Sequence, residues 1–114
     1  MEIKVIERPI AKDELINIAA QWFGAMVKAV VDLEKNIIAI GGEMHADAEA
    51  ILIEQGSKQD NLWGINLYPN EKDENFIKYI SLINISPRRK NLDMEIQNSE
   101  IKSQIRELID KLII

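Results

Sequence analysis

Asn98-Ser99-Glu100-Ile101-Lys102-Ser103-Gln104-Ile105-Arg106-Glu107-Leu108-Ile109-Asp110-Lys111-Leu112-Ile113-Ile114 decides the fold class. Ile101, Ile105, Leu108, Ile109, Leu112 and Ile113 recur at i, i+4, i+7, i+8, i+11 and i+12, the spacing of a helix with one apolar face. Asn98 can cap it, Glu100 suits its positive end, and Glu107 with Lys111 makes an i,i+4 pair. Such a stripe needs a surface to cover, most simply a sheet.

Working back from it, residues 86–97 show no periodicity and read as a surface loop carrying Arg88-Arg89-Lys90. Residues 76–85 read as a long strand stopped by Pro87, and 70–75 as a solvated loop of charge and amide. Residues 62–69 and 50–54 read as a strand pair around the polar, glycine-containing 55–61. Trp63, Ile65 and Leu67 would share one face, and Gly64, Asn66 and Tyr68 the other. Residues 26–33 and 36–40 are β-branched runs around Glu34-Lys35-Asn36, a hairpin, after which Gly41-Gly42 marks a bulge or a sharp exit. A helix is expected from Lys12, with Leu15, Ile16, Ile18, Ala19, Trp22 and Phe23 spaced for one buried face and Gly24 ending it. Residues 2–8 alternate as a strand that Pro9 closes. The order β-α-β-β-β-β-β-α implies an α+β fold: an antiparallel sheet of about five to six strands with two helices on one face, as a single domain over residues 1–114.

With 114 residues, 46% of them apolar and 29% charged, one core is the expectation. Twenty-one isoleucines against 5% aromatics favour a β-branched, strand-rich core. No cysteine is present, which excludes disulfides, thiolate zinc sites and cysteine nucleophiles and points to the cytoplasm. No segment reaches the roughly 18 consecutive apolar residues of a membrane span, and the N-terminus lacks a signal-peptide pattern. The net charge of −5 argues against nucleic acid, since Arg88-Arg89-Lys90 is the one basic cluster. Open sheet edges favour a homodimer as the form of self-association.

Chemistry concentrates in Gly41-Gly42-Glu43-Met44-His45-Ala46-Asp47-Ala48-Glu49, which holds the only histidine. If extended, it presents Glu43, His45, Asp47 and Glu49 on one face at steps of about 6.6 to 6.8 Å. If helical, it sets His45 and Glu49 at i,i+4. Either way the carboxylates would raise the His45 pKa. His45, Asp47 and Glu49 are the residues a metal would use, though one histidine is few for zinc, and no cofactor is assigned. A hydrolase would recruit Ser57 or Ser81 as nucleophile, His45 as base and Asp47 or Glu49 to orient it. The nucleophile-elbow pattern is missing, and Gly41-Gly42 lacks the lysine of a phosphate loop. The short echo Ile65-Asn66-Leu67-Tyr68-Pro69 against Ile83-Asn84-Ile85-Ser86-Pro87 places an asparagine in each apolar run, where pairing with backbone at a sheet edge is expected.

Trp22-Phe23-Gly24, Met26-Val27-Lys28-Ala29-Val30-Val31-Asp32, Ile40-Gly41-Gly42-Glu43-Met44-His45-Ala46-Asp47, Gly56-Ser57-Lys58-Gln59 and Leu62-Trp63-Gly64-Ile65-Asn66-Leu67-Tyr68-Pro69 together resemble a small prokaryotic family catalogued only as a domain of unknown function. The resemblance runs nearly end to end and implies kinship without an activity. Family members often carry a serine before the first helix and a Gln-Gly-Asn loop after the Pro87 position. Here Ala11 and Arg88-Arg89-Lys90 stand there, so the first helix lacks a cap. The function expected is a small cytoplasmic module binding a ligand or partner at a polar sheet end, built from Glu43, His45, Asp47 and Glu49 with Trp63, Asn66 and Tyr68. The alternative is a small hydrolase or lyase-like enzyme dependent on a metal or on a His/carboxylate pair.

Overall fold

The computed structural model describes residues 1–114. Its strands are β1 (Lys4–Ile6), β2 (Val27–Asp32), β3 (Ile37–Ile40), β4 (Leu62–Leu67) and β5 (Ile77–Lys78), and its helices are α1 (Lys12–Trp22), α2 (His45–Glu54) and α3 (Ser99–Leu112). The five strands form one antiparallel sheet in the order β1-β3-β2-β4-β5. Because β1 and β2 both run antiparallel to β3, α1 connects two strands of like direction across it. By the same geometry α2 crosses β2 to join β3 to β4.

The α+β class and the five antiparallel strands agree with the sequence. So do α1 and α3 sharing one face. There Leu15, Ile18 and Ala19 of α1 and Ile105, Leu108 and Ile109 of α3 pack on Ala29, Val31, Ile38, Ile40, Ile65 and Leu67. Alternation then points Val30, Ile37, Ala39 and Leu62 to the opposite face, and Ala48 and Leu52 of α2 cover them.

A third helix is the main departure from the sequence reading. Residues 50–54, expected as a strand, continue α2. The β-branched Ile51 and Ile53 suggested extension, yet the Asp47 carboxylate accepts the Met44 N–H at 3.2 Å and starts a helix. Ala48 and Leu52, at i,i+4, then supply its buried stripe. The long strand expected over 76–85 reduces to Ile77–Lys78. Ser81 accepts the Ile83 N–H at 3.2 Å and turns the chain into a 3₁₀ turn, Leu82–Asn84.

Other expectations hold closely. Asp32 closes the β2–β3 turn by accepting the Glu34 and Lys35 N–H groups, both at 2.9 Å. Asn98 caps α3 through the Glu100 and Ile101 N–H groups at 2.9 and 3.0 Å. Ala11 leaves α1 without a side-chain cap. The i,i+4 ion pair on α3 joins Arg106 to Asp110 at 3.2 Å, in place of Glu107 and Lys111.

Candidate functional site

The site begins where β3 ends. Gly41 has φ +119°, and a Cβ on it would lie 2.7 Å from Trp22 Nε1, so only glycine makes this exit against the indole. The chain then enters α2 with Met44, Ala46 and Asp47 outward and His45 inward, 8% exposed. Its Nε2 lies 2.8 Å from the Ile65 carbonyl oxygen. A carbonyl only accepts, so Nε2–H donates and Nδ1 carries the lone pair in the neutral ring.

Burial lowers the His45 pKa. The Ile65 hydrogen bond opposes that, Lys28 adds to it, and neighbouring Asn66 favours the charged form. The expected rise from carboxylates does not occur. Helical rotation keeps Glu43 and Asp47 exposed, while Asp47 is engaged at the start of the helix.

His45 looks into a cavity of about 420 Å³ between the start of α2 and the segment after β5. Its floor is the solvent-side continuation of the α2 face of the sheet, where Lys28 of β2 stands opposite Asn66 of β4 in register. Asn66 reaches the Ile80 carbonyl only at 3.5 Å, and its Oδ1 is buried without a partner. Ser81 adds a hydroxyl. The walls are apolar: Ile80, Leu82 and Ile83 on one side, with Met26, Met44 and Met94, every methionine except Met1. Thioether chains adapt to irregular shapes.

One wall is held by two buried asparagines. Beyond β5 the edge of β4 has no strand partner, and the Asn84 carboxamide takes that place. It accepts the Gly64 N–H at 2.8 Å and donates to the Gly64 and Met94 carbonyls at 2.9 and 3.1 Å. A Cβ on Gly64 would lie 2.5 Å from Ser81 Cβ, so glycine permits this close approach. Asn91 accepts the Gln97 N–H at 2.9 Å and donates to the Asp93 and Asn84 carbonyls at 2.8 and 3.0 Å. Residues 86–97 are thus an irregular segment pinned from within.

Of the residues expected at the polar sheet end, His45 and Asn66 converge and the others separate. Trp63 lies on the opposite face, in the core under α1 and α3, with the Arg89 guanidinium 3.7 Å from its ring centroid. Tyr68 borders a different hollow, with Asn75 and Lys78. Glu49 is half-buried and acts on Arg89 electrostatically. No group of three or more His, Asp or Glu side chains is gathered to hold a metal ion, because the helix turns Asp47 outward, away from His45 and Glu49 at i,i+4.

Ser57 donates to buried Asp32 at 2.6 Å, whereas Ser81 does share the His45 cavity. Arg89 donates to the Leu62 carbonyl at 2.8 Å, and Arg88 pairs with Asp60, so much of the basic cluster is engaged within the chain. Lys28 and the three methionines were missed. A lysine interrupting the apolar run Val27-Lys28-Ala29-Val30-Val31 was the available signal.

A family model described as "Protein of unknown function (DUF5674)" matches residues 4–112. No curated protein and no solved structure matches the chain.

Proposed function

The chain belongs to the DUF5674 family of proteins of unknown function, and we propose that it is a small cytoplasmic module that binds a small amphipathic ligand in the cavity beside His45. The observation that carries this is Asn66 Oδ1, buried and unpartnered in a cavity whose walls are apolar. Leaving such an atom unpaired costs about 1 to 3 kcal/mol, and native chains retain few of them. A ligand donor would remove the penalty. Size and character also fit, since ligand sites are usually apolar hollows of roughly 300 to 1,000 Å³ with a few convergent polar groups. The neutral His45 ring carries a lone pair on Nδ1, and the Nε2–H bond to the Ile65 carbonyl holds the ring in place. A cytoplasmic setting accords with the cysteine-free sequence, and no helix is long and apolar enough to cross a membrane.

Screening small amphipathic compounds by methyl and amide NMR tests the proposal. Binders should move the methyl signals of Met26, Met44 and Met94 and the Asn66 side-chain amide together. A broad library that leaves all of these unmoved would overturn it.

Ser81 in the same cavity supports a second reading, hydrolysis with His45 as base. In that case Nδ1 would take the proton while the Ile65 carbonyl, in place of a carboxylate, orients the ring. Turnover of ester substrates lost in Ser81→Ala would establish it; equal turnover in that variant would remove it.

A further inference from the structure

We infer that the cavity beside His45 takes an α-amino or α-hydroxy carboxylic acid with an apolar side chain, an inference that rests on the ligand-binding reading above. The lining has a one-sided charge. Lys28 is its only ionised residue, and no Asp or Glu contributes, although the chain carries 19 acidic residues and a net charge of −5. His45 and Ala46, from the first turn of α2, border the same space, bringing the positive end of the helix dipole to it. An anionic group is therefore favoured at the Lys28 side.

The buried acceptor demands something further. Asn66 Oδ1 has no partner and needs a donor, and it lies beside the buried His45. Lys28 and Asn66 are paired across β2 and β4, so the anion and the donor are both wanted at one end of the cavity. A plain fatty carboxylate satisfies Lys28 and leaves Asn66 Oδ1 unpaired. A plain amine satisfies Asn66 and sets a second cation beside Lys28. A carboxylate with an amino or hydroxyl group on the adjacent carbon meets both demands. The Ser81 hydroxyl, which already accepts the Ile83 N–H, has its own proton free for the carboxylate. The apolar body rests on the methionine and isoleucine walls, and Lys28 borders the floor opposite Asn66.

Calorimetric titration of the full chain with four probes tests this: L-leucine, 2-hydroxy-4-methylpentanoate, 4-methylpentanoate and 3-methylbutylamine. Methionine-methyl NMR identifies the site of each. One of the first two should bind at least about tenfold more tightly than both truncated probes, a difference of about 1.4 kcal/mol. The choice between those two assigns the donor as amine or hydroxyl. Lys28→Met should abolish the preference over the amine, and Asn66→Leu the preference over the plain carboxylate, with amide spectra showing each variant folded. Equal binding of all four at the methionines overturns the head-group inference while the ligand-binding reading stands. The head-group inference falls in the same way if none of the four binds but other amphiphiles move those methyls. Silence from every compound overturns both.

Discussion

Replacing Asn84 by alanine should destabilise the protein far more than the loss of one polar side chain suggests. Asn84 is fully buried, and its carboxamide bonds the Gly64 N–H, the Gly64 carbonyl and the Met94 carbonyl. Nothing else can serve these groups, because β5 pairs β4 only at Asn66 and Leu67. Each buried group left unpaired costs about 1 to 3 kcal/mol. With some relaxation of the carbonyls the sum is about 3 to 5 kcal/mol, a large part of the roughly 5 to 15 kcal/mol that stabilises a domain. At this chain length about 4 °C accompanies each kcal/mol, so Tm should fall by roughly 12 to 20 °C. Urea unfolding of wild type and Asn84→Ala would measure the difference.

Asn84→Asp supplies the sharper comparison. It keeps the acceptor for Gly64 N–H but turns an oxygen toward two carbonyl oxygens, so at neutral pH it should be at least as damaging as alanine. Acidification should recover part of the loss as the carboxyl gains a proton to donate. A cost for Asn84→Ala below about 1 kcal/mol would refute the idea that this side chain substitutes for a strand.

Other substitutions probe separate links. Gly41→Ala should cost about 2 to 3 kcal/mol or more in urea unfolding, since φ is +119° and the new Cβ would strike the Trp22 indole. Arg89→Ala should cost about 2 to 3 kcal/mol through loss of the Trp63 stack and the Leu62 carbonyl bond. Arg88→Ala, on the exposed Arg88–Asp60 pair, should stay within about 0.5 kcal/mol in the same assay. Burial lowers the His45 pKa and Lys28 is the charged group facing it, so the unfolded chain takes up the proton first. Stability should therefore fall as pH drops below about 6.5, the unfolded value, and level off below the folded pKa. Urea midpoints at about pH 7.5 and 5.5, with His45→Gln as the control lacking this contribution, would check the sign.

Much of the architecture was legible because its signals were local. The α3 stripe, the Asn98 cap and the hairpin turn at Glu34-Lys35-Asn36 each lie within a few residues of sequence. The segment 41–54 was harder, since Ala-Ile-Leu-Ile suits a strand or a buried helix, and the deciding contacts of Ala48 and Leu52 are made with distant strands. The sign of the His45 shift was unreadable for a related reason. Sequence neighbours supply carboxylates, but rotation through α2 buries the ring beside Ile65 and Lys28 and leaves those acids outside. Asn66 was visible as an amide in an apolar strand. That its nitrogen would reach the Ile80 carbonyl, fourteen residues away, and leave the oxygen unpaired depended on the fold. Asn84, its echo, looked alike in sequence and is fully engaged.

The central claim is that Asn66 Oδ1 is kept unpaired for a ligand and contributes little to holding the fold. The Asn66→Leu variant tests it most directly, with unfolding free energy and ligand binding measured on one preparation. Removing a buried unsatisfied acceptor should leave stability unchanged or raise it by about 1 kcal/mol, while binding of a cavity ligand weakens by about tenfold or more. A loss of more than about 1 kcal/mol in stability with ligand binding intact would contradict the account and make Asn66 a structural residue.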